Sequence, residues 1–186
     1  SVALIQFGSV SLVLEPVASA LEKLMFRESS TRLVALDPNI RPCLIPDRES
    51  YLHRFETWLD HVDLLKISSS DLEWLYPNVN HLDSVNSMLK RRVQVVFLTS
   101  GADGAWACTM KHRIFVEAER IRVLDAVGAG DSFHAGVLCW LLEEQSLTIR
   151  GLERLTETKL RECLRFASHV AAKNCLRLGA DSPWRK

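Results

Sequence analysis

The stretch LDAVGAGDSFHAG, from Leu124 to Gly136, places three small residues directly before an acidic residue and an apolar run. Glycines let successive backbone N–H groups converge on an anion. A helix that begins at this point adds the positive end of its dipole. The stretch therefore predicts an anion-binding loop over residues 128–130, with Asp131 beside it as a proton acceptor. The alternative is a plain turn in which Asp131 caps a helix.

Several other kinds of site are not indicated. The glycines are not followed by Gly-Lys-Ser/Thr, so the loop is not a Walker A motif, and Phe133 stands where a dinucleotide fingerprint has its third glycine. A GxSxG nucleophile elbow is absent, which argues against a hydrolase of that type. The six histidines form no ligand pattern in the sequence, so a zinc site is not expected.

Composition is that of an ordinary globular protein. Of 186 residues, 47% are hydrophobic and 25% are charged, and no repeat or flexible linker interrupts the chain. We therefore predict a single domain over residues 1–186. Lys plus Arg equals Asp plus Glu, at 23 each, which argues against nucleic acid or an acidic membrane as a partner. The longest apolar run, Ala135 to Leu142, is too short to cross a bilayer.

Cysteine usage favours a reducing compartment. The five cysteines are odd in number and no pair has CxxC spacing, and no secretory signal is recognisable. These features predict a cytoplasmic protein. The chain begins with Ser1 and passes straight into an apolar run, so we expect further sequence upstream.

Apolar runs alternate with amphipathic patterns along the chain. The runs predict buried strands at 3–7, 33–36, 62–67 and 93–98, and a hairpin over 105–117. The amphipathic patterns predict helices at 15–26, 49–61, 82–90, 131–144 and 159–176. This alternation indicates an α/β fold with a parallel sheet covered on both faces. In such a sheet ligands bind at the carboxyl ends of the strands.

Five segments resemble the ribokinase/PfkB family of carbohydrate kinases, in the family's order. DAVGAGDSFHAG resembles its D-T-x-G-A-G-D signature, and the others are FGSVS, LDPNIRP, LLKISSSDLEWL and LTSGADGAW. LDPNIRP is typical of fructokinases and 2-keto-3-deoxygluconate kinases, and fructokinases are the closer match. The resemblance spans essentially the whole chain. It implies the C-terminal portion of a ribokinase-like three-layer sandwich with a mostly parallel sheet, with the N-terminal part and the lid missing.

The resemblance also implies the catalytic and nucleotide-binding residues. Asp131 aligns with the base that deprotonates the sugar hydroxyl, and the anion hole aligns with Gly128, Ala129 and Gly130. The nucleotide loop aligns with Thr99, Ser100, Gly101 and Gly104, and the adenine pocket includes Ser168. Without the resemblance, residues 99–104 predict only a tight turn after a strand. The cofactor is ATP, with Mg²⁺.

Two further segments align with motifs that contact the nucleotide or the sugar. Ser68 and Asp71 occupy the N-x-x-E motif, which organises magnesium, water and phosphate, although Ser68 and Asp71 could instead cap a helix that enters at Leu72. Asp37, Asn39 and Arg41 align with the substrate loop, where the arginine reaches towards the sugar. The alternative for this loop is a surface turn with a structural Arg–Asp pair.

A monovalent cation, K⁺, is bound by backbone carbonyls in several relatives. The matching positions here are Asp125, Val127, Asn174, Arg177 and Gly179. Ala126 replaces the usual threonine between the first two, which matters little if only carbonyls bind the cation.

The sequence thus predicts ATP-dependent phosphorylation of a sugar hydroxyl, with fructose as the acceptor. The alternatives are a 2-keto-3-deoxygluconate kinase, a nucleoside kinase, or a non-catalytic PfkB-like scaffold or regulatory protein. The partners are then a small-molecule sugar and ATP, and the full-length protein is expected to be a homodimer. Alone, this chain is expected to have little turnover.

Overall fold

The computed structural model describes residues 2–183. Its strands are β1 (Leu4–Gly8), β2 (Leu33–Asp37), β3 (Leu64–Ser68), β4 (Val95–Thr99), β5 (Gly104–Cys108) and β6 (Arg113–Glu117). Its helices are α1 (Val17–Glu28), α2 (Arg48–Trp58), α3 (Ser69–Leu75), α4 (His81–Leu89), α5 (Ala129–Glu143), α6 (Ile149–Glu153) and α7 (Glu157–Cys175). Short 3₁₀ turns cover Ser9–Leu12 and Pro42–Leu44.

The strands form one six-stranded sheet in sequence order, from β1 to β6. β1 pairs with β2, and β2 with β3, in parallel. Every residue of β2 is buried, as are the first four residues of β3 and of β4. Burial on both faces explains why these strands read as continuous apolar runs rather than as alternating ones. The α/β class with a mostly parallel sheet is confirmed.

The chain divides into two compact units. The described residues of the first lie within Ser1–Leu98 and Cys108–Lys111, and those of the second within Thr99–Ala107 and His112–Lys186. The fully buried side chains of the first unit include Phe55, Trp58 and Leu65. The single domain expected from the sequence stays a prediction.

Packing of α5 against α7 forms the core of the second unit. Val137 and Leu141 of α5 and Leu160 and Leu164 of α7 are fully buried. A Cβ atom on Gly136 would lie 2.9 Å from the Cα atom of Ala167 on α7. The helices therefore approach closely only because residue 136 has no side chain.

The predicted strands, the hairpin and the predicted helices are all present, with boundaries that shift by a few residues. α6 is not indicated by the sequence pattern, and α3 is predicted only as the capping alternative for Ser68 and Asp71. Across residues 2–183, we find no helix whose length and apolar character would suit a bilayer crossing.

Candidate functional site

The stretch 124–136 forms a turn followed by the start of α5, in the second unit. Gly128 directly precedes the helix with φ 76°, a left-handed conformation that favours glycine. A Cβ atom there would lie 2.8 Å from the Cβ atom of Ala180. The Gly128 carbonyl accepts the Ser132 N–H at 2.8 Å, the first bond of the helical pattern. The glycine is therefore needed both for its backbone angle and for its lack of a side chain.

The amides of this loop are not equivalent. The Ala129 N–H donates to the Ala126 carbonyl at 3.1 Å and so closes the turn. The Gly130 N–H makes no hydrogen bond within residues 2–183. It lies in the first turn of α5, the positive end of the helix dipole. Asp131 follows in the same turn and is exposed. Gly130 thus offers an unoccupied amide to an anion, and a solvent-accessible carboxylate is its neighbour.

The loop after β4 is a tight turn, which is what residues 99–104 predict without the family resemblance. The Ser100 N–H donates to the Gly104 carbonyl at 2.8 Å, and the Asp103 N–H donates to the Ser100 carbonyl at 3.1 Å. These two bonds fix the turn between β4 and β5. The Ser100 amide is thereby occupied, while Thr99, Gly101 and Gly104 face a cavity.

That cavity lies within the second unit and has a volume of about 590 Å³. This volume falls within the usual range for small-molecule sites. Six residues that the sequence assigned to the catalytic and nucleotide site line it: Thr99, Gly101, Gly104, Ala129, Gly130 and Ser168. Much of the remaining wall is apolar and includes Ile121, Val123 and Phe133. Residues 99–104, 129–130 and 168 therefore meet at one cavity. This cavity has a largely apolar lining, with the free N–H of Gly130 at one place in it.

The segments at residues 125–127 and 174–179 are fastened to each other. The Asp125 carboxylate accepts the Val127 N–H at 2.9 Å and the Gly179 N–H at 2.8 Å. These two backbone donors hold the pKa of Asp125 below its usual range. Asn174 Nδ2 donates to the Val127 carbonyl at 2.7 Å. The structure therefore brings together four of the five residues predicted for a cation site.

The remaining cation-site residue, Arg177, meets this cluster only through its backbone. Its N–H donates to the Asn174 carbonyl at 3.1 Å, while its side chain is exposed and pairs with Asp181 at 2.9 Å. Asn174 itself is fully buried, and its Oδ1 atom has no hydrogen-bond partner within residues 2–183. A buried amide oxygen without a donor is an oxygen that a bound cation could satisfy.

The turn at residues 179–182 also contacts the start of α5. Ser182 Oγ lies 2.6 Å from Ser132 Oγ, a hydrogen-bonding distance. The Gly179 amide bonds to Asp125, and the methyl group of Ala180 lies beside Gly128, so this turn lies directly against residues 125–132.

The predicted substrate loop belongs to the first unit. Asn39 has φ 40°, and Arg41 Nη1 donates to Asn39 Oδ1 at 2.6 Å and to the Ile40 carbonyl at 3.2 Å. The guanidinium is thus folded back on its own turn. Asp37 forms an ion pair with Lys66 at 3.0 Å, and both side chains are buried. Burial of both charges is costly unless the pair is well satisfied.

Ser68 and Asp71 form a capping box at the start of α3. The Asp71 N–H donates to Ser68 Oγ at 3.0 Å, and Asp71 Oδ2 accepts the Ser68 N–H at 3.0 Å. Asp71 Oδ1 accepts the Ile40 N–H at 2.9 Å. The capping alternative is confirmed. The same carboxylate also fastens the turn at residues 37–41, and its role towards magnesium stays a prediction.

No group of three or more His, Cys, Asp or Glu side chains that could hold a metal ion occurs within residues 2–183. Mg²⁺ is compatible with this arrangement because it usually keeps several waters and is bound through substrate phosphates and only one or two carboxylates.

Lys66 was not singled out in the sequence analysis, although a signal for it exists. A lysine inside the apolar run LLKIS must either reach solvent or meet a buried opposite charge. A carboxylate at the end of the neighbouring strand, Asp37, supplies that charge.

A family model described as pfkB family carbohydrate kinase matches residues 1–186. The chain belongs to the pfkB family of carbohydrate kinases. Among its relatives is a fructokinase of Rhizobium leguminosarum bv. trifolii, 37% identical over 157 residues, which cover 84% of this chain and 48% of that protein. Probable fructokinase-3 of Arabidopsis thaliana is 32% identical over 176 residues, or 94% of this chain and 49% of that protein. This pfkB chain therefore spans about half the length of these two relatives.

Solved structures of sugar and riboside kinases share its fold. The crystal structure of fructokinase with bound ATP from Xylella fastidiosa matches with a TM-score of 0.84 and 25% identity, covering 95% of this chain and 56% of that one. An aminoimidazole riboside kinase from Salmonella enterica matches with a TM-score of 0.78 and 22% identity, covering 95% and 57%. The fold is thus that of ribokinase-like sugar kinases, as the resemblance implied.

Proposed function

We propose that this chain is the nucleotide-binding and catalytic-base portion of an ATP-dependent sugar kinase that phosphorylates a hydroxyl group of fructose. The observation that carries the proposal is the cavity in the second unit. There the loop after β4, the start of α5 and Ser168 of α7 meet, and Asp131 directly follows the lining residue Gly130. A phosphate at the start of α5 and a base beside it are the two requirements of this transfer.

In this mechanism Asp131 accepts the proton of the attacking sugar hydroxyl. The Gly130 N–H and the helix dipole stabilise the negative charge on the transferred phosphoryl group, because they are fixed before the reaction begins. Gly128 holds the loop in shape, and Ala129 contributes mainly by closing the turn. Thr99, Gly101 and Gly104 contact the nucleotide, with Ser100 as their structural support, and Ser168 lies beside the adenine.

The sugar would contact Asp37, Asn39 and Arg41, a role that rests on the family resemblance. To contact an anionic or hydroxyl-rich ligand, the Arg41 guanidinium would exchange its bonds to Asn39 and Ile40 for bonds to that ligand. Fructose is proposed because the relatives named above are fructokinases. The fold alone does not select the sugar, since a riboside kinase shares it.

The proposed cofactors are ATP, Mg²⁺ and K⁺. Mg²⁺ would neutralise charge on the nucleotide phosphates, with Ser68 and Asp71 reaching it through water. K⁺ would bind at the Asp125–Val127 segment. The unsatisfied Oδ1 of Asn174 supports this site, because a cation would supply the missing partner. A crystal structure of a Vibrio cholerae fructokinase is described with fructose, ADP and potassium bound.

A non-catalytic scaffold is the second candidate. It is favoured by one observation, namely that both carboxylate oxygens of Asp71 are already used within the protein. For either candidate we propose a homodimer in the cytoplasm as the setting of the full-length protein.

The test is an ADP-release assay on the full-length protein with fructose, 2-keto-3-deoxygluconate and a nucleoside as acceptors. We expect turnover with fructose at least tenfold above that with the other two. Faster turnover with another acceptor would reassign the substrate. A folded protein that binds ATP but phosphorylates none of the three would support the scaffold.

A further inference from the structure

One wall of the cavity is a segment with few attachments. Residues 119–123, here called the strap, connect β6 to the stretch 124–136, and four of them line the cavity: Glu119, Arg120, Ile121 and Val123. α7 forms another part of the lining, through Ser168, Ala171, Ala172 and Cys175. A flat ring bound in this part of the cavity would contact both the strap and α7.

The strap is fastened at its ends and at one side chain. Just before it, the Ala118 N–H donates to the Asp103 carbonyl at 3.4 Å, and just after it the Leu124 N–H donates to the Cys175 carbonyl at 2.9 Å. Between these points, residues 119–123 make no backbone–backbone hydrogen bond in the described structure. Glu119 Oε1 lies 2.8 Å from Nδ1 of His169 on α7. This pair joins the first residue of the strap to α7.

We propose that Glu119 and His169 are positioning residues that set the width of the nucleotide cavity. The inference rests on the proposed function, because it takes the occupant to be the base of a nucleotide. With the pair intact, the apolar side chains of Ile121 and Val123 stay within contact distance of a ring lying on α7. Without it, the ring loses contact with one wall, and short-range dispersion contacts fall off steeply with distance.

The expected effect is modest because the pair is half exposed. The Glu119 side chain is 44% exposed and that of His169 is 49% exposed, so the pair is weakened by solvent. We expect the Kd for ATP to rise about two- to fivefold when the pair is removed, which is the range for exposed ion pairs. The loss should fall on the base and not on the phosphates, which would bind at Gly130 and at the loop after β4.

The experiment is isothermal titration calorimetry of the 186-residue chain with ATP, adenosine and tripolyphosphate as separate ligands. The variants are Glu119→Ala, His169→Ala and the two combined. His112→Ala is the matched control, because it removes another Glu–His pair of the same unit, to Glu157 at 3.5 Å, whose residues do not line the cavity. Thermal melting confirms that each variant is folded.

Support requires three results together. Each single variant weakens ATP and adenosine but not tripolyphosphate, the double variant adds nothing further, and the control behaves as the wild type. A double variant that swaps the acidic and the basic partner, Glu119→Lys with His169→Glu, should then restore most of the affinity for ATP. Unchanged ATP binding in both single variants, or equal weakening of tripolyphosphate, overturns the inference while leaving the proposed function standing. A wild-type chain that binds no ATP overturns both.

Discussion

Asp131 is the single residue on which the proposed chemistry depends most. In the full-length protein, Asp131→Asn removes the proton acceptor but keeps the size and the helix start. We therefore expect kcat to fall roughly 10²-fold or more, with the Kd for ATP little changed. Steady-state kinetics with calorimetric ATP binding measure both. A variant with near-normal kcat would remove Asp131 from the mechanism.

Gly128 is constrained both by its left-handed backbone angle and by the closeness of Ala180, and comparison with Gly179 separates the two effects. Gly128→Ala would meet both a left-handed φ of 76° and the Ala180 methyl group at 2.8 Å. Gly179→Ala meets a similar φ of 73° but no atom within 4 Å. The left-handed conformation alone costs about 1–2 kcal/mol, and both variants bear this cost. Because Gly128→Ala also clashes with Ala180, we expect it to lose more stability than Gly179→Ala and to abolish ATP binding. Urea unfolding and calorimetry test this, and equal losses would show that Ala180 is not a barrier.

The start of α3 depends on its capping box. Ser68→Ala removes the acceptor for the Asp71 N–H and the hydroxyl that donates to Asp71 Oδ2 at 2.6 Å. We expect a loss of about 1 kcal/mol of stability, the usual cost of an N-cap serine. Ser70→Ala is the control, since within residues 2–183 the Ser70 hydroxyl hydrogen-bonds only to the Ser68 hydroxyl, at 2.9 Å, and is not part of the capping box. Urea midpoints of the two variants should differ clearly, and overlapping midpoints would contradict the capping role.

Elements with a long apolar pattern were predictable from the sequence, and those defined by local polar bonds were not. β2 and β4 are buried along most of their length, so hydrophobicity alone marks them. α6 is only five residues long and begins with a bond from the Gly151 N–H to Thr148 Oγ1. Such a short helix has too little periodicity to be recognised.

The same division holds for the candidate site. The GAGD loop, residues 128–131, carries a family motif, so the sequence indicates these residues directly. Glu119 and His169 lie 50 positions apart. Their meeting depends on how α7 packs beside the strap, which no local pattern encodes. The occupied amide of Ala129 is likewise a matter of backbone geometry, whereas the motif treats all three loop residues alike.

For the chain taken as a whole, ATP binding and stability should be linked. A ligand that binds only the folded state stabilises it by about 2.7 kcal/mol at a concentration one hundred times its Kd. We expect this stabilisation with ATP in thermal melting, and slower amide exchange at residues 99–104 and 128–131. Gly128→Ala should show neither effect. A melting temperature that is indifferent to ATP would argue against nucleotide binding by this chain.

The GAGD loop, residues 128–131, is fastened by the turn at residues 179–182, and this has a consequence for biosynthesis. During synthesis the loop leaves the ribosome before the residues that hold it in place. Gly179 follows Asp125 by 54 positions, and Ser182 follows Ser132 by 50. A nascent chain halted before Gly179 would carry the motif without the contacts that shape it. Products truncated between residues 136 and 179 would therefore contain every residue of the DAVGAGDSFHAG signature without these contacts, and we expect them not to bind a nucleotide.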